Sequence, residues 1–427
     1  MFAESQDDEQ IIERVAALDI GKAEVVCCVR LPAPSGTARR VQEVSTHSTM
    51  VGSLSGLANR LVELGIERVV MEATSDYWRP PFYLFEAHGL DPWLVNNAKD
   101  VKHLPGRPKT DVLDAVWLCK VAERQMLRPS FVPPAEIRQL RDLTRYRVDL
   151  VGVRGAEKNR VEKLLEDACV KLSVVASDIF GVSGRDMMAA MIAGERDPSK
   201  LAAFARTRMR PKIGLLEEAF AGLRIGTFDA HHQLLLSRML ARVDAVEADI
   251  AALDTEIEAQ LAALGDVVAR LDEIPGIGPT AAGIILAEIG TDMTRFPTPA
   301  HLCSWAKFAP GIKSSAGKNK GNGSTGHGNR YLARVLGEAA VMAGRTDTFL
   351  GARYRRIARR RGKKKAIVAV GRSILVIIWH LLSDPEGHFQ DLGADHYDRR
   401  VSTTAERRTH IRGLQALGYR VTLEPAA

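Results

Sequence analysis

Four acidic residues stand where an ionised carboxylate is destabilising unless something answers its charge. Asp19 interrupts the apolar run Val15–Ile20 at the start of "LDIGKAEVVCCVRL", Glu72 ends the apolar part of "RVVMEA", and Asp111 and Asp114 open "KTDVLDA". A lone charge in a strand fit for burial costs several kcal/mol unless it is paired or binds a cation. Each has a bland explanation: Asp19 capping a turn, Glu72 pairing with an arginine, Asp111 and Asp114 stabilising a helix N-terminus. Clustered together, however, four carboxylates would repel strongly, and divalent cations relieve that repulsion. Hard oxygen donors select Mg²⁺ or Mn²⁺. Two such ions roughly 3.5–4 Å apart clamp the attacking and leaving oxygens of a phosphodiester displacement. The four are therefore the candidate metal ligands and catalytic carboxylates.

The elements that must position them alternate in type. Strands are expected at Val15–Ile20, Glu24–Arg30 and Val41–Thr46, the first two forming a hairpin across Gly21 and Lys22. A helix at Ser53–Leu64, a strand at Arg68–Glu72, a helix at Pro80–His88 and a strand at Pro92–Val95 follow, then a helix from Asp111 to about Met126. Three strands followed by αβαβα is the order of the ribonuclease-H-like α/β fold, a mixed sheet flanked by helices. "PGRPKT", Pro105–Thr110, reads as a loop ending in an N-capping threonine. Asp111 and Asp114, three apart, share one face of the helix it opens.

From about Pro133 to Leu264 the chain turns helical. Leu236, Met239, Val243, Val246, Ile250, Leu253 and Ile257 alternate spacings of three and four, and Gln260 and Leu264 extend the register. This is a coiled-coil seam or an amphipathic helix packed on its own domain. Gly181–Gly226, broken by glycines and prolines, shows no motif. The expected domains are a catalytic domain at 1–130, a helical, coiled-coil region at 131–265, a mainly α domain at 266–383 and an extension at 384–427.

A second chemistry lies in the C-terminal half. "IPGIGPTAAGIILAEIG", Ile274–Gly290, has the form of a helix-hairpin-helix turn, in which the N–H groups of Gly276 and Gly278 can approach a phosphate. The same turn can also be a plain connector. "KFAPGIKSSAGKNKGNGSTGHGNRYL", Lys307–Leu332, is not a phosphate-binding P-loop, because Gly311 and Gly317 enclose five residues and Asn319 follows Lys318. It is a glycine-rich loop carrying Ser314, Ser315 and Ser324, with Lys313, Lys318, Lys320 and Arg330 as cations. No Asp or Glu occurs between Met293 and Gly337, or between Thr348 and Ser383. The second stretch holds "RYRRIARRRGKKK", whose Arg355, Arg356, Arg359, Arg360, Arg361, Lys363, Lys364 and Lys365 are further candidate phosphate contacts. Two long acid-free stretches favour nucleic acid as partner.

At 427 residues, net charge +7, 46% hydrophobic and 26% charged, the chain is globular and long enough for two or three domains. The acidic Met1–Gln10 fits neither a signal nor a transit peptide. Ala366–Leu382 contains Arg372 and His380 and is expected to be a core helix, too short to span a bilayer comfortably, so no membrane partner is expected. Five cysteines without a CxxC pair point to buried thiols in a reducing cytoplasm and to no zinc site.

These motifs together resemble the IS one-ten family of insertion-sequence transposases, the bridge-RNA-guided DNA recombinases, over roughly Val15–Leu382. "ALDIGK", "VMEAT" and "KTDVLDA" look like the family's RuvC-like DEDD domain, and the middle looks like its coiled coil. "IPGIGPTAA", "RFPTPAHLCSWAKFAPG" and "SSAGK" look like its transposase domain. The resemblance implies metal binding by Asp19, Glu72, Asp111 and Asp114. It also places the nucleophilic serine, which precedes a small residue and then Gly-Lys, at Ser315, with Ser314 directly before it where the family often has an acidic or amide residue. It further implies a homo-oligomer, dimer or tetramer, in which carboxylates of one subunit meet the serine of another, and a bridge RNA that pairs with donor and target DNA in a bacterial cytoplasm. Residues 384–427 look like an extension found in only part of the family. The competing expectation is a Holliday-junction resolvase-like endonuclease that only hydrolyses; a catalytically dead nucleic-acid scaffold is disfavoured by the intact acidic quartet.

Overall fold

Strand alternation decides which way the acidic residues face, so the sheet comes first. The computed structural model describes residues 11–33, 40–73, 75–96, 110–311, 314–315, 318–319, 323–397 and 403–423. They divide into two units, Met1–Val132 and Pro133–Ala427. The first contains β1 (Val15–Ile20), β2 (Glu24–Pro32), β3 (Arg40–Ser48), α1 (Val51–Glu63), β4 (Arg68–Glu72), α2 (Arg79–Ala87), β5 (Pro92–Val95) and α3 (Asp111–Glu123). The sheet runs β3-β2-β1-β4-β5. β2 is antiparallel to both its neighbours, while β1, β4 and β5 are parallel.

Successive strand residues point to opposite faces. On one face Ala16, Leu18, Ile20, Val69 and Met71 pack with Leu54, Leu57, Leu61, Phe82 and Phe85 from α1 and α2. On the other, Val15, Ala17, Val70 and Val95 pack with Ala115, Leu118, Cys119 and Ala122 from α3. α3 stops at Glu123, short of the expected Met126. Glu123 is buried there and pairs with Arg30 at 2.8 Å and Arg40 at 2.5 Å, so two cations answer the carboxylate at the helix's negative end.

The second unit is built on two long helices, α4 (Ala135–Asp167) and, beyond the short helices α5 (Val182–Ile192), α6 (Pro198–Ala202) and α7 (Ile213–Ala219), α8 (Ala230–Leu261). α4 and α8 run antiparallel: Leu140 packs with Ile257, Leu150 with Val246 and Ile250, and Lys158 pairs with Glu247 at 3.0 Å. Much of the apolar seam on α8 is thus covered within the chain. Leu240 is buried more deeply than Met239, and the helix ends at Leu261, so Leu264 falls outside it. Gly181–Gly226 proves to be more than a connector. Met187, Met188, Met191, Leu201, Leu216, Phe220 and Phe228 form a core with Val161, Leu165, Leu236 and Leu240 at the ends of the long helices.

The remaining elements are α9 (Gly265–Asp272), α10 (Pro279–Ile289), α11 (Pro299–Trp305), the two-stranded β6 (Ser314–Ser315) and β7 (Lys318–Asn319), α12 (Arg330–Ala343), α13 (Phe349–Arg361), α14 (Lys363–Ser383) and α15 (Thr403–Ala416). Contrary to expectation, α14 is long and apolar enough to cross a bilayer by length and composition. One face of it is nevertheless buried in this fold: Ala366, Val370, Ile374, Leu375, Ile378 and Leu381 are covered, and Trp379 donates its indole N–H to the Phe296 carbonyl at 2.8 Å. Among the cysteines, Cys169 is the exception to burial; it follows α4 in a left-handed backbone conformation and is exposed.

The helical pair yields the first prediction. Ile250→Ala should destabilise the protein by about 2–5 kcal/mol, measured by denaturant unfolding of the whole chain. A change below about 0.5 kcal/mol would place Ile250 on the surface instead.

Candidate metal centre and nucleic-acid surface

Parity places Asp19 in line with Val15 and Ala17, on the side of the sheet that α3 covers. Glu72 follows Val70 onto the same side. Because Leu18 lies opposite Met71 in the parallel β1–β4 pair, Asp19 and Glu72 sit at the carboxyl ends of adjacent strands. This is where open α/β sheets place their ligands. The third contribution comes from the start of α3. Thr110 caps it by accepting the Leu113 N–H at 3.3 Å, which fixes the first turn and sets Asp111 and Asp114 on it.

The charges of Asp111, Asp114 and Glu72 all act on Asp19. The Asp19 carboxyl is pushed up from 3.8 to about 6, first by partial burial and then by the negative charges of Asp111, Asp114 and Glu72. An all-oxygen, all-anionic donor set in which three carboxylates raise the proton affinity of Asp19 has the chemistry that Mg²⁺ or Mn²⁺ satisfies. Asp19, Glu72, Asp111 and Asp114 would hold such an ion.

The sequence did not flag a second group. Asp167, His231 and His232 bring one ligand atom each within 4.8 Å of one another. Helix capping accounts for it: Asp229 accepts the backbone N–H groups of His231 and His232, and His232 closes the capping box while its other nitrogen meets Asp167 at 3.1 Å.

The candidate phosphate contacts fall into distinct settings. Gly276 has φ +92°, and a Cβ there would lie 2.3 Å from the Ala339 carbonyl oxygen, so close packing on α12 explains that glycine. Gly278 begins α10 with open space around it. Ser315 ends β6 opposite Lys318 in β7; Lys313 and Lys320 lie outside the described residues. Arg330 pairs with Asp149 at 3.3 Å. Arg355 donates to the Thr346 carbonyl at 2.7 Å and the Gly344 carbonyl at 3.3 Å, which makes it a brace for the end of α12. Arg356 lies 4.5 Å over the Tyr397 ring. Arg359, Arg360, Arg361, Lys363, Lys364 and Lys365 are exposed across the α13–α14 junction.

The strand order 3-2-1-4-5, with carboxylates at the ends of β1 and β4 and the start of α3, is that of the ribonuclease-H-like fold. Comparison with known proteins narrows the class. The transposase model for the DEDD domain of IS110 elements matches residues 16–170, and the model described as Transposase IS116/IS110/IS902 family matches residues 268–355. "Insertion element IS110 uncharacterized 43.6 kDa protein" of Streptomyces coelicolor is 28% identical over 305 residues, 66% of this chain and 72% of that protein. With the two models spanning more than half of its length, the chain belongs to the IS110 family and is a DNA transposase. The family matches take in the sheet, α3, all of α4 and the serine segment; they stop short of Arg359–Lys365.

The raised Asp19 carboxyl gives a prediction with a definite sign. Its ionisation is disfavoured in the fold, so without metal the contribution of Asp19 is best below pH 3.8 and is lost as pH rises through about 6. Asp19→Asn should therefore raise the metal-free melting temperature near pH 7.5, leave it nearly unchanged near pH 4, and abolish strand cleavage. Asp114→Asn should also abolish cleavage. A lower metal-free melting temperature for Asp19→Asn at the higher pH would contradict the crowding.

Proposed function

We propose that this transposase cuts and rejoins DNA through a covalent link to Ser315, with sequence choice delegated to a bridge RNA. The crowding of Glu72, Asp111 and Asp114 around Asp19 is the observation that carries the reading, because it supports a divalent-metal centre for phosphoryl transfer. Bound there, Mg²⁺ or Mn²⁺ supplies charge neutralisation at the phosphate oxygens and lowers the pKa of a coordinated hydroxyl. The four carboxylates would hold the centre, their four negative charges balanced by two divalent ions.

Ser315 supplies the nucleophile. Its hydroxyl oxygen attacks phosphorus, the deoxyribose oxygen departs and takes up a proton, and the phosphodiester becomes a phosphoserine ester. The bond count is conserved, so a second deoxyribose hydroxyl can reverse the step without ATP. A serine hydroxyl needs a base or a metal to ionise at neutral pH. No Asp or Glu lies between Met293 and Gly337, so activation comes from outside the segment, from the carboxylate centre of another copy in a homo-oligomer. The acid-free segment suits the approach to a polyanion, and the cations of Arg359–Lys365 bind phosphate backbone of DNA or of the guide. A coiled-coil role for α4 and α8 in assembly and phosphate binding at the Gly276–Gly278 turn belong to the same proposal. A hydrolytic resolvase would share the carboxylates and have no use for the serine.

Three experiments test this. On a nicked substrate, wild type should accumulate a protein–DNA adduct that mass spectrometry maps to Ser315. Ser315→Ala should bind DNA and lose strand transfer. A map to Ser314 would move the nucleophile, and robust strand transfer by the double alanine variant would leave a metal-only enzyme. Neutralising Arg359, Arg360 and Arg361 should lower the slope of log affinity against log salt by about 2–3, near 0.9 per lost phosphate contact. An unchanged slope would make the basic run a solvated face. RNA sequencing of the purified complex separates a guided enzyme, which carries one structured species, from an unguided one.

A further inference from the structure

Glu288 lies on α10, an otherwise apolar helix, and is fully buried. An unanswered carboxylate there would be strongly destabilising. Arg145 answers it from α4 with a two-pronged contact, Nε to Oε1 at 2.7 Å and Nη2 to Oε2 at 2.8 Å. Arg141 holds the adjoining backbone, donating to the Ala287 carbonyl at 2.9 Å and the Glu288 carbonyl at 2.7 Å. The last partner is Asn329, whose Nδ2 donates to Oε2 of Glu288.

Asn329 is also the N-cap of α12, its Oδ1 accepting the N–H groups of Tyr331 at 3.0 Å and Leu332 at 3.1 Å. A carboxylate can only accept and a backbone N–H can only donate, so the amide has one possible orientation. Capping alone would be served as well by Asp or Ser. Only an amide caps the helix and also donates to Glu288, which ties the choice of residue to the buried carboxylate.

The location gives this tie a use. The segment carrying Ser315 leaves the helical body near Gly311, whose N–H donates to the Ser324 carbonyl at 3.2 Å. It returns through Gly328, where a Cβ would lie 2.7 Å from the Ala306 carbonyl oxygen, and ends at Asn329. We propose that Asn329 and Glu288 are positioning residues for strand transfer: their bond, braced by Arg145, fixes the geometry from which the serine segment departs. This inference rests on Ser315 as nucleophile.

The test compares Asn329→Asp, Asn329→Ser and the reversal Glu288→Gln/Asn329→Asp in the full-length protein. Asp keeps the cap but sets two carboxylates face to face; Ser keeps the cap but is too short to reach Glu288. The reversal puts the donor on residue 288 and the acceptor on residue 329, at the loss of one Arg145 prong, because Oε2 of Glu288 accepts from both Arg145 and Asn329. Both single variants should lose strand transfer by about 10- to 100-fold, the scale of a roughly 1 Å misplacement, with DNA affinity within about twofold of wild type. The reversal should recover most of what Asn329→Asp loses. Wild-type strand transfer by Asn329→Asp overturns the proposal. So does a loss that the reversal leaves in place while DNA affinity and melting temperature fall in step, which is the signature of a merely structural contact. Ser315→Ala in the same assay keeps the two claims apart. If it is active, the nucleophile is misassigned; if it is inactive while Asn329→Asp is active, the positioning role alone fails.

Discussion

The repulsion that Asp111, Asp114 and Glu72 exert on the half-buried Asp19 is the constraint around which the first unit is arranged. Nothing in a hydrophobic sheet favours a carboxylate at the end of β1, and three more beside it raise its proton affinity further. The fold tolerates this because strand parity holds Asp19 and Glu72 on one face and the Thr110 cap pins the start of α3 over it. The rest of α3 is compensated elsewhere, with Glu123 at its far end held by Arg30 and Arg40. A divalent ion bound there would convert the repulsion into attraction, as a phosphoryl-transfer enzyme requires.

The second unit resolves the same problem in the opposite way. Glu288 is also a lone acid in an apolar run, and it is more deeply buried than Asp19. Its surroundings are two arginines and an amide, so its charge is neutralised by the protein itself and becomes a brace. One acid is raised in proton affinity by its acidic neighbours; the other is answered by cations within the protein. The difference lies in the company each keeps, and it separates a candidate reactive centre from a load carried by the scaffold.

The first unit was legible because its signals are local. β1, β4 and β5 fall at Val15–Ile20, Arg68–Glu72 and Pro92–Val95 as alternation and composition predict, and Thr110 caps as its type and place suggest. The second unit was less so because its order depends on contacts far apart in the chain. The seam on α8 is plain in the sequence, yet its partner, α4, lies some way upstream, and the choice of Leu240 over Met239 is made by packing. The core between α4 and α8 is assembled from short helices whose glycines and prolines read as breaks. Glu288 carried the same signal as Asp19, but its arginine and asparagine partners have no sequence spacing to announce them. The exposed Cys169 is a similar case, decided by neighbours and not by residue type.

Where a divalent ion binds decides most directly whether the four carboxylates form a metal centre. Crystals of the protein soaked in Mn²⁺ and measured at an anomalous wavelength would show it without reference to any activity. The predicted result is an anomalous peak within coordination distance, about 2.0–2.3 Å, of carboxylate oxygens from Asp19, Glu72, Asp111 and Asp114. A strong peak at Asp167 and His232 with none at Asp19, at a pH above 7, would contradict it.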